Sequence, residues 1–406
     1  MSHILLELDK MKPEMDSPGK SNMLYLDYAA GTPLHPEALQ EMLPLLGGTG
    51  GNPSSTHSFG RRARGCIDLA RDRVAALLEA ESSEITFTSG GTESDNLAIF
   101  GAALNTPPTR QRIVVSAAEH HAVLNPAHRL AEMGFDVQFI PILPSGEINL
   151  DVASQLIDET TALVSVMLVN NETGVIQPVK KIVRLAERVG ALVHTDAIQA
   201  ALFNFCKPKD LGVSLLSISA HKFYGPAGAG ALWVRRGVKL KPVLYGGAQE
   251  RERRAGTENL PALAGMGKAA ELTLQHRDTW LRAASSAAES FSDTMSSTDF
   301  CLQNAVQAKR IPTILNYRLP KVDGELLSMR MDSLGVAIST GSACASGSLE
   351  PSHVLLAMGM SESEARSCIR VSFGRESSSD ASAQAAELIL AEAGRMRSRT
   401  STLGVV

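Results

Sequence analysis

Long hydrophobic runs are missing from this 406-residue chain, and none approaches the roughly 18 apolar residues that a membrane-crossing helix requires. Cysteine is scarce: Cys66, Cys206, Cys301, Cys344 and Cys368 form no Cys-x-x-Cys pair and no His-Cys cluster at zinc spacing. That argues against a disulfide frame and against a metal held by protein ligands alone. An excess of one charge is missing too, since 39 Lys and Arg face 43 Asp and Glu for a formal net charge of −4. Neither nucleic acid nor a membrane surface is an expected partner of so balanced a chain, whereas a small or slightly anionic ligand is. Met1 to Asp16 carry Glu7, Asp9 and Glu14 without a basic lead-in or a small-residue cleavage pattern, so no secretory signal is expected and the expected compartment is the cytoplasm. Nor does any repeat or low-complexity tract occur, which excludes a solenoid.

What is present is ordinary globular material. Hydrophobic residues make up 44% and charged residues 20%, enough to fill a large core and too little charge for long disorder. The length predicts two or three domains, or one large α/β core with an appendage. From Glu84 onward, apolar runs of strand length alternate with segments of helical period, the pattern of a parallel sheet wrapped by helices. Strands are expected at 85–88, 112–116, 136–140, 162–169, 192–195, 215–219 and 230–234. Pro178 to Val189 is the clearest helix, with Pro178 at a first helical position, Val179, Ile182, Val183 and Ala186 on one face, and Gly190 as its stop. Beyond Pro261 the rhythm changes to a long Ala- and Leu-rich helical stretch, then Thr313 to Tyr317, a helix near Asp323 to Leu334, strands near 336–339 and 369–373, and a last helix from Asp380 to about Met396. This reads as a smaller α+β unit followed by a frayed end.

In an open parallel sheet, ligands bind beyond the carboxyl ends of the strands. Polar residues follow those ends repeatedly: Glu119 and His120 after Ser116, Asn170 to Gly174 after Val169, Asp196 after Thr195, and His221 and Lys222 after Ser219. One such residue is commonly a cap, but four on one edge mark a site. Thr88 to Asn96 passes from strand to helix through Gly90 and Gly91 and offers hydroxyl and N–H donors at a helix start, an anion cup suited to phosphate. A plain helix cap made by Thr92 and Asp95 explains the same residues. No Walker A loop occurs, and Gly228 to Trp233 lacks the third glycine of a dinucleotide fingerprint. Lys222 ends an apolar strand, where a lysine either has a partner or does chemistry. Lysines that bond carbonyl carbon need a neutral amine, which desolvation and cationic neighbours favour. With a phosphate cup, an Asp196 able to pair with a pyridinium nitrogen and a His120 able to stack on a ring, the set matches the needs of pyridoxal phosphate.

These residues carry a resemblance. The motifs YLDYAAGTP, NPSSTH, FTSGGTESDNLA, AEHHAVL, VNNETGV, HTDAIQA, SAHKFYGP, RRAGTEN, STGSACASGSLEPSHVL and IRVSFGR run in order from about Tyr25 to Arg375. The set resembles cysteine desulfurases of the NifS/IscS type, in the class V branch of the pyridoxal-phosphate-dependent aminotransferase family. The resemblance implies aminotransferase fold type I, an α/β fold. Its parts would be a large domain at 25–262 with a mostly parallel seven-stranded sheet, a smaller α+β domain at 263–397 carrying a mobile cysteine loop, an N-terminal arm at 1–24 packed on the small domain, and a frayed tail at 398–406. It also implies pyridoxal 5'-phosphate as cofactor, attached to Lys222, which would then shuttle protons. Asp196 would keep the pyridine nitrogen protonated, His120 would stack on the ring and act in acid–base steps, and Gln199 would donate to the phenolic oxygen. Gly91, Thr92, Ser219 and His221 would bind the phosphate, joined by Thr257 of a partner subunit, so a homodimer is expected. Arg375 would clamp the substrate carboxylate in a bidentate pair, with Asn171 and Asn52 orienting the same substrate and Asn171 also facing the cofactor. A surface ion pair is the other reading of Arg375.

Cys344 lies in a run of small residues, Ser339 to Ser348, a composition suited to moving a thiol toward a ligand and away again. By resemblance its thiolate would attack the sulfur of bound L-cysteine, release L-alanine and keep a persulfide for a protein acceptor such as an iron–sulfur scaffold or a sulfur carrier. No metal is implied in the free enzyme, although Cys344 could ligate a transient iron–sulfur cluster with a scaffold partner. Two other functions use the same features: selenocysteine lyase or cysteine sulfinate desulfinase on the same fold, and, of another class, a non-catalytic sulfur-trafficking scaffold. The presence of Lys222, Asp196 and Cys344 together argues against the scaffold.

Overall fold

The computed structural model of the protein describes residues 23–47, 51–340 and 350–403. Its strands in chain order are β1 (Leu24–Tyr25), β2 (Ile85–Thr88), β3 (Arg112–Ser116), β4 (Asp136–Ile140), β5 (Thr161–Ser165), β6 (Leu192–Asp196), β7 (Leu215–Ser219), β8 (Gly230–Val234), β9 (Leu302–Gln303), β10 (Ile314–Arg318), β11 (Val336–Ala337) and β12 (Cys368–Ser372). β5, β7 and β8 are buried at every position, which is why their sequences show no polar alternation: both faces of the sheet are covered.

β2 to β8 form one sheet of seven strands in the order β2-β8-β7-β6-β5-β3-β4. β4, β3, β5, β6 and β7 are parallel, and β8 runs antiparallel to both neighbours, β7 and β2. Two reversals return β2 to the direction of β7, so Thr88, Ser116, Asp196 and Ser219 all end on one edge. The mostly parallel seven-stranded sheet is therefore present. β5 stops at Ser165, short of the Val169 expected. Its neighbour β3 ends at Ser116, and beyond that point the buried carboxylate of Glu119 takes the Met167 N–H at 2.6 Å in place of a strand partner. Val166 and Leu168 still donate to His194 O and Asp196 O, so the chain keeps to β6 while leaving the ladder on its other side.

β9, β10 and β12 make a small antiparallel sheet, and β1 pairs in parallel with β11. The helix Leu260–Met295 serves two cores: Leu263, Met266 and Ala270 pack in the larger, Ala288, Phe291 and Met295 in the smaller. A boundary at 262/263 thus falls inside one continuous helix, with Pro261 in its first turn, where its missing N–H costs nothing. The last helix is Ser379–Leu403, longer than the sequence pattern suggested, and residues 1–22 of the expected arm lie outside the described residues. Helices Pro36–Leu46 and Ser58–Leu77, not read from the sequence, are capped by His35 and His57, whose Nδ1 atoms accept the Glu37 and Gly60 N–H groups. Histidine is a rarer cap than Ser, Thr, Asp or Asn, so the usual start signal is absent.

One strained turn braces the sheet edge. Glu250, Arg251 and Glu252 have φ of 44°, 59° and 63°, in the left-handed region that costs L-residues about 1–2 kcal/mol each. Glu250 is held there by Arg71, whose Nη2 and Nη1 donate to its two carboxylate oxygens at 2.6 and 2.7 Å, and by the Phe87 N–H at 2.8 Å. Both side chains are almost wholly buried, so the pair is screened from water. Arg71→Met leaves the Glu250 carboxylate buried without its cation, and the expected cost is about 3–5 kcal/mol in a denaturant titration. A loss below about 1 kcal/mol would mean that the turn is held by something else.

Candidate active site

Strand ends of the large sheet surround a cavity of about 140 Å³. One wall is the turn from β2 into the helix Gly91–Ala103. Gly230 lies between Thr88 and Ser219 in the sheet register, and a Cβ there would come within 2.6 Å of the Gly90 carbonyl carbon. On Gly91 a Cβ would lie 2.2 Å from Ile198 Cδ1. The glycines thus let the backbone turn tightly into the cavity. The residue before the helix, Gly90, offers no side-chain cap, which leaves first-turn N–H groups available to an anion at the positive end of the helix. The capping alternative for Asp95 fails: its side chain is fully buried and lies 3.5 Å from His194 Nε2. Glu93 instead braces the turn, accepting from the Ser89 N–H at 2.7 Å and from Arg254 Nε at 2.8 Å.

Thr92, Ser219 and His221 all line the cavity, and Ser219 Oγ lies 2.9 Å from His221 Nδ1. His120, at the turn after β3, accepts the Ala122 N–H on Nδ1 at 3.0 Å, so its proton sits on Nε2 when the ring is neutral. Burial, then the neighbouring Lys222 charge, lowers its pKa to about 4. Asp196, the last residue of β6, has one oxygen on the Ile198 N–H at 2.9 Å, and burial, then repulsion from Asp95, pushes its pKa up to about 8. Among the described residues this carboxyl makes no ion pair, and attraction to His194 and Lys222 does not offset its burial; the protonated nitrogen of a pyridine ring would supply a direct partner. Lys222 sits in the 3₁₀ turn Ala220–Lys222 after β7, and its Nζ donates to Ala29 O at 2.5 Å and Ala30 O at 2.8 Å. Gln199 Nε2 donates to the same Ala29 carbonyl at 2.8 Å. An anion cup, a ring-sized gap beside His120, an unmatched carboxyl and an amine fit pyridoxal phosphate.

Gly91, Thr92, His120, Asn171, Asp196, Gln199, Ser219, His221 and Lys222 are thus brought together. Three others do not line the cavity, among them Thr257, which is expected to serve a partner subunit's site. Arg375 lines neither this cavity nor the smaller one beside it; its guanidinium lies 5.2 Å from the centre of the Tyr224 ring, and Nη2 pairs with Glu376 at 2.6 Å. The ion-pair reading describes its place, and the clamp expected of it does not. Asn52 is exposed, its Oδ1 taking the Ser54 N–H, and Thr257 is exposed and away from the cavity of its own chain. Cys344 lies outside the described residues.

Arg370 was missed. It too lines neither cavity and has no solvent exposure, but unlike Arg375 it touches the wall, its Nη1 donating at 3.0 Å to the carbonyl of Asn171, a cavity residue. Its signal was available: an arginine between Ile369 and Val371 in a buried strand is as anomalous as Lys222. Among the described residues no group of three or more His, Cys, Asp or Glu could hold a metal, and no helix is long and apolar enough to cross a membrane.

Comparison with known proteins gives the family. Residues 24–381 match the family described as aminotransferase class-V. The chain is 42% identical over 353 residues to "Cysteine desulfurase IscS" of Dictyoglomus turgidum, covering 86% of this chain and 89% of that protein. A solved NifS-like protein superposes with a TM-score of 0.84 at 31% identity, covering 90% of this chain and 98% of the other. A structure described as SspA in complex with cysteine gives 0.75 at 34% identity, with 86% and 98% covered. With the family matched over nearly the whole fold and the strand-edge cavity in place, the chain belongs to the class-V aminotransferases, in their cysteine desulfurase branch.

Proposed function

We propose that the protein is a pyridoxal-phosphate-dependent cysteine desulfurase that converts L-cysteine to L-alanine and passes the sulfur through Cys344 to protein acceptors. The observation that carries this reading is the meeting of Lys222, Asp196 and His120 in one cavity with an uncapped helix start. Pyridoxal phosphate, when bound, draws electron density from the substrate's Cα. Asp196 keeps the negative charge that holds the ring nitrogen protonated. Thr92, Ser219, His221 and the first-turn N–H groups bind the phosphate. Lys222, with Ala29 O and Ala30 O supporting its amine, attaches the cofactor and moves protons at the substrate carbon. His120 stays neutral through the working pH range, a flat donor ring against the cofactor.

The carboxylate clamp of this reading is Arg370 rather than Arg375, helped by Asn171. The support is the buried Arg370 guanidinium beside Asn171, with an Nε–H that has no acceptor among the described residues. At Cys344 the thiolate bonds the substrate sulfur as the carbon–sulfur bond breaks; the bonding pair stays on carbon, which takes a proton to become alanine, and the S–H proton remains on the persulfide. A homodimer completes the phosphate site through Thr257, consistent with its exposed position, and Arg254 ties its segment to Glu93 beside the cup. A reducing, cytoplasmic setting suits the free state of Cys66, Cys206, Cys301 and Cys368.

Lys222→Ala is expected to abolish the visible absorption of the attached cofactor and to lower alanine formation by about 10²–10⁴-fold. Cys344→Ser should abolish alanine formation from cysteine; unchanged turnover would reject the persulfide step.

The raised carboxyls give the cofactor-free protein a distinctive pH dependence. Asp196, pushed to about 8, and Asp95 and Glu172, pushed to about 7, all by burial, hold protons that the unfolded chain releases near pH 4. Folding therefore binds protons in this range, and the stability from these groups is lost as pH rises toward 8. His120, His194 and His221, lowered to about 4 by burial, act in the opposite direction, but only below their ordinary value of 6.5. Between pH 6.5 and 8 the carboxyl trend is left, so the Tm of the cofactor-free protein should fall over that window and the slope should lessen on loading with cofactor. A Tm that rises across this window would contradict the account.

A further inference from the structure

Asp27 and Arg370 meet where the chain's N-terminal stretch joins the small sheet. Asp27 forms a parallel bridge to Ser372, and Ser372 and Arg370, two positions apart on β12, share one strand face. That diagonal brings Asp27 Oδ1 to 2.7 Å from Arg370 Nη2. The register is set by the Ser372 N–H donating to Leu26 O at 2.8 Å and by the Ala29 N–H donating to Ser372 Oγ at 2.9 Å. Ser339 holds the same edge, its carbonyl taking the Arg370 N–H at 2.7 Å, and β10 pairs along the other. Arg370 can therefore adjust little except by turning its guanidinium.

Two contacts decide that turn. Nη2 is on Asp27 and Nη1 is on the Asn171 carbonyl, while the buried Nε–H has no acceptor among the described residues. A buried donor left unpaired is costly, and a ligand carboxylate removes that cost. We propose that Asp27 is a positioning residue for the substrate carboxylate, pinning one nitrogen of Arg370 so that its Nε–H stays free for the ligand. This rests on the reading of Arg370 as the clamp. Because Asp27 already balances the guanidinium charge, it acts by orientation more than by added attraction. An asparagine, whose Oδ1 accepts the same N–H, keeps that orientation, whereas alanine releases it.

The test uses the cofactor-loaded protein, calorimetric titration with L-alanine, and steady-state kinetics with L-cysteine. Asp27→Ala is expected to weaken alanine binding and raise KM about tenfold with kcat within about threefold. Cofactor occupancy, read from visible absorption, should stay unchanged. Asp27→Asn should restore both values to within about threefold of the parent, a rescue that a merely structural role would not give. The proposal is overturned by parental alanine binding in Asp27→Ala, or by equal impairment in Asp27→Asn. Should the alanine variant not fold, Asp27→Ser, too short to reach Nη2, takes its place with the same expected result. Arg370→Gln separates the two claims. If it binds alanine as the parent does, the clamp reading fails; if it is impaired while Asp27→Ala is not, Asp27 alone is excluded.

Discussion

A buried strand edge that must hold ionisable groups out of water is the constraint on which this site depends. Asp95, Glu119, Asp196 and Arg370 are all buried, and each must find a partner or change its protonation. Arg370 finds Asp27. Glu119 takes the Ser116 hydroxyl and the Met167 N–H on one oxygen, and burial still raises its pKa well above the carboxylate range. Asp196 has a single backbone donor, and the attraction of His194 and Lys222 does not offset its burial, so a cation directly beside it would favour its charged form. A site short of positive charge at Asp196 and short of an acceptor at Arg370 is matched to a ligand set that brings both: a protonated ring nitrogen and a carboxylate.

The stretch from Tyr25 to Gly31 links these two needs. Its Ala29 carbonyl receives both Lys222 Nζ and Gln199 Nε2, and its Ala29 N–H is held by Ser372, two residues from the clamp arginine. Tyr25 closes the stretch on itself by donating to Gly31 O at 2.9 Å. The lysine side of the site and the carboxylate side therefore share one backbone segment, anchored in the small sheet and bearing on the large one. A shift of the small sheet against the large one would move both sides together, which is how a fold with two cores keeps one reaction geometry.

Most of the large sheet and its edge was legible because each parallel strand is a short apolar run that stops at a polar residue, and the rule placing ligands at carboxyl ends then selects His120, Asp196, Ser219 and Lys222. β5 was read too long because the feature that ends it, a carboxylate from a distant turn taking the Met167 N–H, leaves no mark in the local pattern. Arg370 escaped for a different reason. It lies in the middle of β12, in an antiparallel sheet, away from any strand end, and the resemblance carried by IRVSFGR was read onto Arg375, the other arginine of that motif. What could have found it is the cost argument that found Lys222: a charge flanked by buried aliphatic residues needs a partner.

The same cost argument extends to the cysteine segment through its two anchors. Ser339, before it, pairs by backbone with Arg370, and Ser352, after it, donates to the buried Glu172 carboxyl at 2.5 Å. His353, next in the chain, donates from Nε2 to the Glu119 carbonyl at 2.8 Å, one residue from His120. Glu172 follows Asn171 directly, so each anchor rests on a residue that adjoins the cavity wall.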